Sequence, residues 1–236
     1  MNWLAASAGL AGVAGAGVCA WAATHPRAQL FGPCLYNTGR ADAVALTFDD
    51  GPNPAMTPEL LRLLEQHGAR ATFFLIGRHA RACPELVREM AARGHSIGNH
   101  TETHPNLFWC SPARNREELE RCQEAIREAA GITPRWMRPP YGYRGPQLAG
   151  AARRAGCRVV TWSVIARDWK PQPAEELIGR LRGVSGGDIV VLHDGSPRAL
   201  GADRRWTLEA LKYWLPRWRE AGRAFVTLDE VAAPGT

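Results

Sequence analysis

Two histidines four residues apart, in His100-Thr101-Glu102-Thr103-His104, and two adjacent acids, in Thr47-Phe48-Asp49-Asp50-Gly51-Pro52, are the residues of this chain best suited to chemistry. On a helical turn the imidazoles of His100 and His104 point the same way and can share one metal ion, but two ligands leave a site incomplete. A carboxylate from elsewhere gives a His-His-carboxylate set with positions left for water and substrate. The acid pair supplies one. Adjacent carboxylates at a strand end repel each other unless a cation or a proton-transfer role uses them. Neighbours in an extended chain face opposite ways, so one acid is expected to bind the metal while the other holds the water that the metal acidifies. Taken alone, the first pattern also fits two surface histidines on a loop, and the second a solvated Asp-Gly-Pro turn.

The elements that must position these groups are legible as alternating short apolar runs and amphipathic stretches, the pattern of strands and helices around a mainly parallel sheet. Strands are expected at Ala43–Phe48, Ala71–Ile76, His95–Asn99, Trp136–Arg138, Arg158–Val164, Ile189–His193 and Ala224–Leu228. Helix punctuation lies between them. Thr57-Pro58 reads as an N-cap and first-turn proline before the Leu60-Leu61-Leu63-Leu64 stripe, with Gly68 at the end. Ser111-Pro112 opens a second helix that places Leu119, Cys122, Ile126 and Ala130 on one face and stops at Gly131. Further helices are expected at Glu85–Arg93, Pro146–Ala155, Ala174–Arg182 and Thr207–Ala221. Such units fit a closed or partly closed α/β barrel, while periodicity also admits a doubly wound sheet. Asp49, Asp50, His100, Arg138, Asp168 and His193 all fall at or just after strand ends, where such folds build their reactive rim.

The chain has 236 residues, enough for one large domain and a short appendage, and its 45% apolar and 22% charged content is that of an ordered soluble domain. A formal charge of +6 permits attraction to acidic polymers or lipid, but basic residues from Arg114 to Arg127 interleave with Glu117, Glu118 and Glu120 and read as a solvated face. There is no basic-aromatic module for nucleic acid. The six cysteines form no CxxC pair, so they read as isolated thiols, with disulfides open if the domain is exported. Met1 to Thr24 carries no charged side chain, and Trp3–Ala23 is long enough to cross a bilayer. The stretch 1–28 therefore reads as a signal-anchor or signal peptide, with a buried helix as the alternative, ahead of a linker at 29–40 and a catalytic domain at 41–232. No basic residue precedes the stretch, so its orientation is open. Val18 before Cys19 argues against lipoprotein cleavage.

Over Ala41 to Val231 the residues resemble the polysaccharide deacetylases of carbohydrate esterase family four, built on the NodB-homology domain. The five motifs that carry the resemblance are Thr47–Gly51, His100–His104, Arg138-Pro139-Pro140-Tyr141, Asp168-Trp169 and Leu192-His193, in order. The resemblance implies a distorted, TIM-barrel-like (β/α)7 barrel, preceded here by the apolar segment. It also implies one divalent metal, usually zinc with cobalt or nickel as substitutes, on Asp50, His100 and His104. Asp49 would be the general base and His193 the general acid. Arg138 and Asp168 would form a charged pair that tunes the base, and Tyr141 and Trp169 would line the cleft, with the Tyr141 backbone N–H assisting the oxyanion. One departure from the family pattern is Ile165, where an acid is usual.

The implied reaction is hydrolysis of an N-acetyl group on a glycan or lipid-linked sugar: the metal polarises the carbonyl, Asp49 takes the proton from the attacking water, and His193 gives one to the departing amine. Phe108, Trp109, Tyr143 and Trp169 are expected to form an aromatic rim for sugar rings. Singly, Arg138 is also a strand-end charge, Tyr141 a core aromatic, Asp168 a turn acid and His193 a core histidine. Competing functions are a deformylase, lipid-sugar deacylase or cyclic-imide hydrolase on the same site, a silent carbohydrate-binding domain, and a phosphotransferase with Asp49 as nucleophile. The last leaves three histidines without work. The apolar N-terminus suggests a domain anchored to the membrane or exported to the cell envelope.

Overall fold

The computed structural model describes residues 15–231. Its sheet runs β1 (Cys34–Leu35), β2 (Ala43–Gly51), β3 (Thr72–Leu75), β4 (Ser96–Asn99), β5 (Trp136–Met137), β6 (Arg158–Val160), β7 (Val164–Ile165), β8 (Ile189–His193) and β9 (Ala224–Phe225) along the chain. The helices are α1 (Thr57–Gln66), α2 (Gly77–Ala82), α3 (Pro84–Ala92), α4 (Pro112–Ala130), α5 (Leu148–Arg154), α6 (Ala174–Leu181) and α7 (Arg205–Glu220), and positions 15–24 form a further helical stretch. The spatial order is β1-β6-β5-β4-β3-β2-β8-β7, with β9 on β2 and every strand pair parallel. The expected strand Arg158–Val164 is divided: its first part pairs with β5 and its second with β8, so the sheet curls back on itself into a distorted half-barrel.

All nine residues of β2 are buried, as expected for a central strand covered on both faces. Val44, Leu46 and Phe48 face the helix layer with Leu60, Leu61 and Leu64 of α1, while Ala43 and Ala45 face the inside with Phe74 and Ile189. This alternation of period two fixes where Thr47 and Asp49 point: inward.

Helix starts follow their signals unequally. Ser111 caps α4 through its hydroxyl, which accepts from the Arg114 N–H at 3.2 Å, and Gly131 closes the helix at φ 71°. Thr57 is not a cap. It is the first residue of α1, and its hydroxyl accepts from the Asn53 N–H and donates to the buried Asp194 carboxylate instead. The α4 face also differs from a fully solvated one: Glu117 and Glu120 are exposed, but Glu118 is 1% exposed, because it lies four residues before the buried Cys122 on the same side of the helix.

No helix among the described residues is long and apolar enough to cross a membrane, and most of the expected span at Trp3–Ala23 lies outside them. The end of the 15–24 helix packs on the barrel: Ala22 and Ala23 are buried, and the Arg144 guanidinium donates to the carbonyls of His25 and Ala28. All six cysteines are free thiols.

Candidate metal centre and acid–base site

Strand alternation would send Asp50 to the helix layer beside Phe48. A bulge prevents this. The β2–β3 register shifts between Asp49 and Gly51, and Asp50 takes a left-handed φ of 71°, which turns its carboxylate to the same cavity as Asp49. The expectation that the two acids face opposite ways is therefore corrected: both line the cavity. Among the described residues, five non-glycines have positive φ: Asp50, His104 and Tyr141 line the cavity, Thr101 lies in the histidine loop and Arg167 immediately precedes Asp168. Such backbone is costly for residues with a Cβ and persists where surrounding contacts impose it.

Those contacts are visible around the histidine loop. The Asn99 side chain accepts from the Thr101 N–H at 2.9 Å, and the Thr101 hydroxyl accepts from the His104 N–H at 3.0 Å. Glu118, on α4, accepts from the Thr103 N–H at 2.8 Å and from its hydroxyl at 2.7 Å, and its backbone carbonyl accepts from the Glu102 N–H. The loop is thus fixed from both sides.

Nδ1 of His100 lies 2.8 Å from the Arg138 carbonyl oxygen, which assigns the proton to Nδ1 and leaves Nε2 as a free lone pair. Nε2 of His100 and Nε2 of His104 lie 3.5 and 3.2 Å from the same Asp50 oxygen, an atom that has no hydrogen-bond donor among the described residues. A tetrahedral ion with bonds of about 2.0–2.1 Å sets its ligand atoms about 3.3 Å apart, so the three atoms fit one divalent cation. Protonation agrees with that use. Burial, reinforced by the neighbouring His100, lowers His104 to about 4, keeping it neutral at physiological pH. Burial alone would raise the Asp50 carboxyl, but the surrounding His100, His193 and His104 hold it well below the usual carboxylate range.

Asp49 is held differently. Arg138, fully buried and 4.4 Å above the Phe74 ring, donates from one guanidinium nitrogen to Asp49 at 2.8 Å and to the Thr47 hydroxyl at 2.7 Å. Its other terminal nitrogen reaches the Thr161 carbonyl at 2.8 Å. Asp168 sits across the cavity from this group, against His193. One of its oxygens lies 2.7 Å from His193 Nδ1, and the other accepts from the His193 backbone N–H and the Thr207 hydroxyl at 2.8 and 2.9 Å. The expected Arg138–Asp168 pair does not form. Asp168 follows β7, which pairs with β8, so its natural partner is the residue at the end of β8, whereas Arg138 reaches inward from β5 to β2. Burial opposes charging of His193, but the ion pair with Asp168, helped by Asp50 and Asp49, outweighs it and raises the imidazole to about 9. With Nδ1 engaged by Asp168, the second proton of the charged ring sits on Nε2.

The cavity of about 500 Å³ is lined by Asp49, Asp50, His100, His104 and His193 together with Tyr141, Tyr143 and Trp169. Tyr141 is 58% exposed and meets His104 edge to face at 4.8 Å, and Trp169 meets His193 in the same way at 5.6 Å. Phe108 and Trp109 pack on each other outside the lining, so the expected aromatic rim is only partly assembled. Trp162 and Arg204 belong to the wall and were not expected from sequence. Neither carries a local pattern. The spacing of Glu118 to Cys122 was a usable signal, whereas Thr207 looked only like the start of a helix.

The polysaccharide deacetylase family model matches residues 36–160. The chain belongs to the polysaccharide deacetylase family. It is 41% identical to a chitooligosaccharide deacetylase of Bradyrhizobium sp. over 76% of this chain and 86% of that one. It is 37% identical to a peptidoglycan-N-acetylglucosamine deacetylase of Bacillus cereus over 80% of this chain and 67% of that one. Among solved structures it resembles a peptidoglycan N-acetylglucosamine deacetylase in complex with 4-naphthalen-1-yl-N-oxidanyl-benzamide, with TM-score 0.77, 34% identity and coverage of 84% of this chain and 91% of that one. Members of this family act as metal-dependent hydrolases of amide bonds, and the Asp50-His100-His104 group of this chain is a possible metal site.

Proposed function

We propose that this polysaccharide deacetylase removes N-acetyl groups from an N-acetylglucosamine-containing glycan of the cell envelope, with the domain at 41–232 doing the chemistry. The observation that carries this reading is the assembly, in one cavity, of an arginine-held acid, a charged histidine and a three-residue cation site between them. The relatives that act on chitooligosaccharides and peptidoglycan support the substrate class.

Asp50, His100 and His104 would hold the cation, for which zinc suits two imidazoles and one carboxylate. When bound, it supplies Lewis acidity toward the acetyl carbonyl and acidifies water. Asp49, oriented by Arg138, takes the proton of the attacking water. Protonated His193 faces the leaving side and delivers its Nε2 proton to the amine nitrogen, so acetate and a free amino sugar separate. Asp168 holds that imidazole upright and charged. The Tyr141 N–H would stabilise the oxyanion, and Tyr141, Tyr143 and Trp169 offer ring faces to the sugar. The apolar stretch that ends in the docked 15–24 helix would attach the enzyme to the membrane, where Val18 and Trp21, 55% and 53% exposed, would meet lipid.

A silent carbohydrate binder would need neither Asp49 nor His193. The test is acetate release from N-acetylated glycans by zinc- or cobalt-loaded protein, with and without a chelator. Release that stops on chelation and returns with metal is expected. Folded, metal-loaded protein that frees no acetate but hydrolyses formyl, long-acyl or cyclic-imide substrates would overturn the proposal.

A further inference from the structure

Among the described residues, three basic side chains in the cavity wall face no carboxylate. Asp49 is paired with Arg138, Asp50 lies against His100 and His104 in the candidate cation site, and His193 is paired with Asp168. Lys170, Arg198 and Arg204 line the same cavity, and among the described residues none of them is in an ion pair. Asp203, the acid next to Arg204, is engaged by Arg205.

Arg204 is 6% exposed, and among the described residues its terminal nitrogens donate to the Asp203 carbonyl and to no carboxylate. Its guanidinium carbon lies 5.9 Å from the Trp206 ring centroid, and the side chain lines the cavity, so a cationic group is built into the wall. The loop that carries Arg198 is tied down: the Pro197 carbonyl accepts from Arg78, Asn53 donates to the carbonyls of Asp194 and Ala202, and the Ser196 hydroxyl accepts from the Arg198 N–H. Arg198 and Lys170 are exposed, so their heads are hydrated and available.

We infer that this wall recognises an anion: the preferred substrate is an N-acetylated sugar that carries an acidic substituent on the reacting ring or on the ring beside it. This rests on the deacetylase reading and names its substrate class. Cations within the cavity lie inside a Debye length of any anion bound there, about 8 Å at physiological salt, so they discriminate charged from neutral ligands. A neutral chitooligosaccharide would leave three cations unpaired. The acidic group is either a carboxylate on the sugar or a phosphate ester at the reducing end.

The test is binding, followed by tryptophan fluorescence of the zinc-loaded full chain, to chitotetraose, to a peptidoglycan tetrasaccharide bearing lactyl carboxylates, and to chitotetraose 1-phosphate. The expected result is about tenfold tighter binding of one or both anionic ligands at low salt, a preference that fades at high salt. Whichever of the two gains identifies the source of the charge. Lys170→Gln with Arg198→Gln should remove most of the preference and leave chitotetraose binding unchanged. Equal or tighter binding of the neutral ligand would overturn the inference, as would a preference that survives the double substitution. Because binding is read without turnover, failure to release acetate from any glycan would strike the deacetylase reading alone.

Discussion

The two walls of the cavity use buried charge in opposite ways. On the side built from β2, β4 and β5, Asp50 has three imidazoles around it and an oxygen without a donor among the described residues, so it is open to an added ligand. On the side built from β7, β8 and α7, the Asp168 carboxylate accepts from the backbone N–H and the Nδ1–H of His193 and from the Thr207 hydroxyl, so it is satisfied internally and spends its charge on one proton. Under the proposed function, the difference would separate cation binding from proton transfer along a single fold rim: the first wall leaves a valence open, and the second closes it.

The largest expected effect is on proton transfer alone. Asp49→Asn and His193→Ala should each lower kcat/KM on the order of 10²–10⁴-fold while zinc remains bound, as read by steady-state acetate release beside metal analysis. Loss of metal in His193→Ala would merge the two walls and break the comparison.

Asp168→Asn sharpens it. His193 at about 9 stays protonated through neutral pH, so the acid-dependent limb of kcat should fall only as pH rises through about 9. Without the Asp168 charge the limb should move toward the ordinary 6.5, lowering activity at pH 8 by about 30-fold. Stability follows the same sign. The folded value lies above the unfolded one, so the pair's contribution is fully present below about pH 6.5 and is lost as pH rises through about 9. Thermal melts of metal-free wild type and Asp168→Asn should differ most at pH 6 and least at pH 10. An unchanged pH profile in Asp168→Asn would remove His193 from the acid role.

A smaller effect belongs to the support of the first wall. Glu118→Ala frees Thr103 and the histidine loop, and zinc affinity should drop on the order of tenfold, measured by competition with a chelator. The smallest concerns sugar stacking: Trp169→Ala should raise KM about fivefold, whereas Trp109→Ala, outside the cavity, should leave it unchanged.

Much of this was legible in the sequence because strand alternation, helix caps and glycine stops are local. The strands that carry Asp49, His100, Arg138 and His193 appear where their apolar runs lie, and the Ser111 cap and Gly131 stop of α4 hold. What escaped depends on through-space geometry. The bulge at Asp50 is a register shift between two strands, and the Asp168–His193 pair depends on β7 lying beside β8 after the expected strand 158–164 divides. Glu118 looked like one charge in a solvated row, and only its phase relative to Cys122 distinguishes it from Glu117 and Glu120. Arg204 has no local signature, because its role depends on the cavity that the 194–204 loop completes.

The division of labour between the walls is tested most directly by measuring bound zinc and acetate release in the same preparations of wild type, Asp50→Ala and His193→Ala. The account predicts about one zinc per chain with release in the wild type, neither in Asp50→Ala, and zinc without release in His193→Ala. Zinc retained at full occupancy in Asp50→Ala, or undiminished release from His193→Ala, would contradict it.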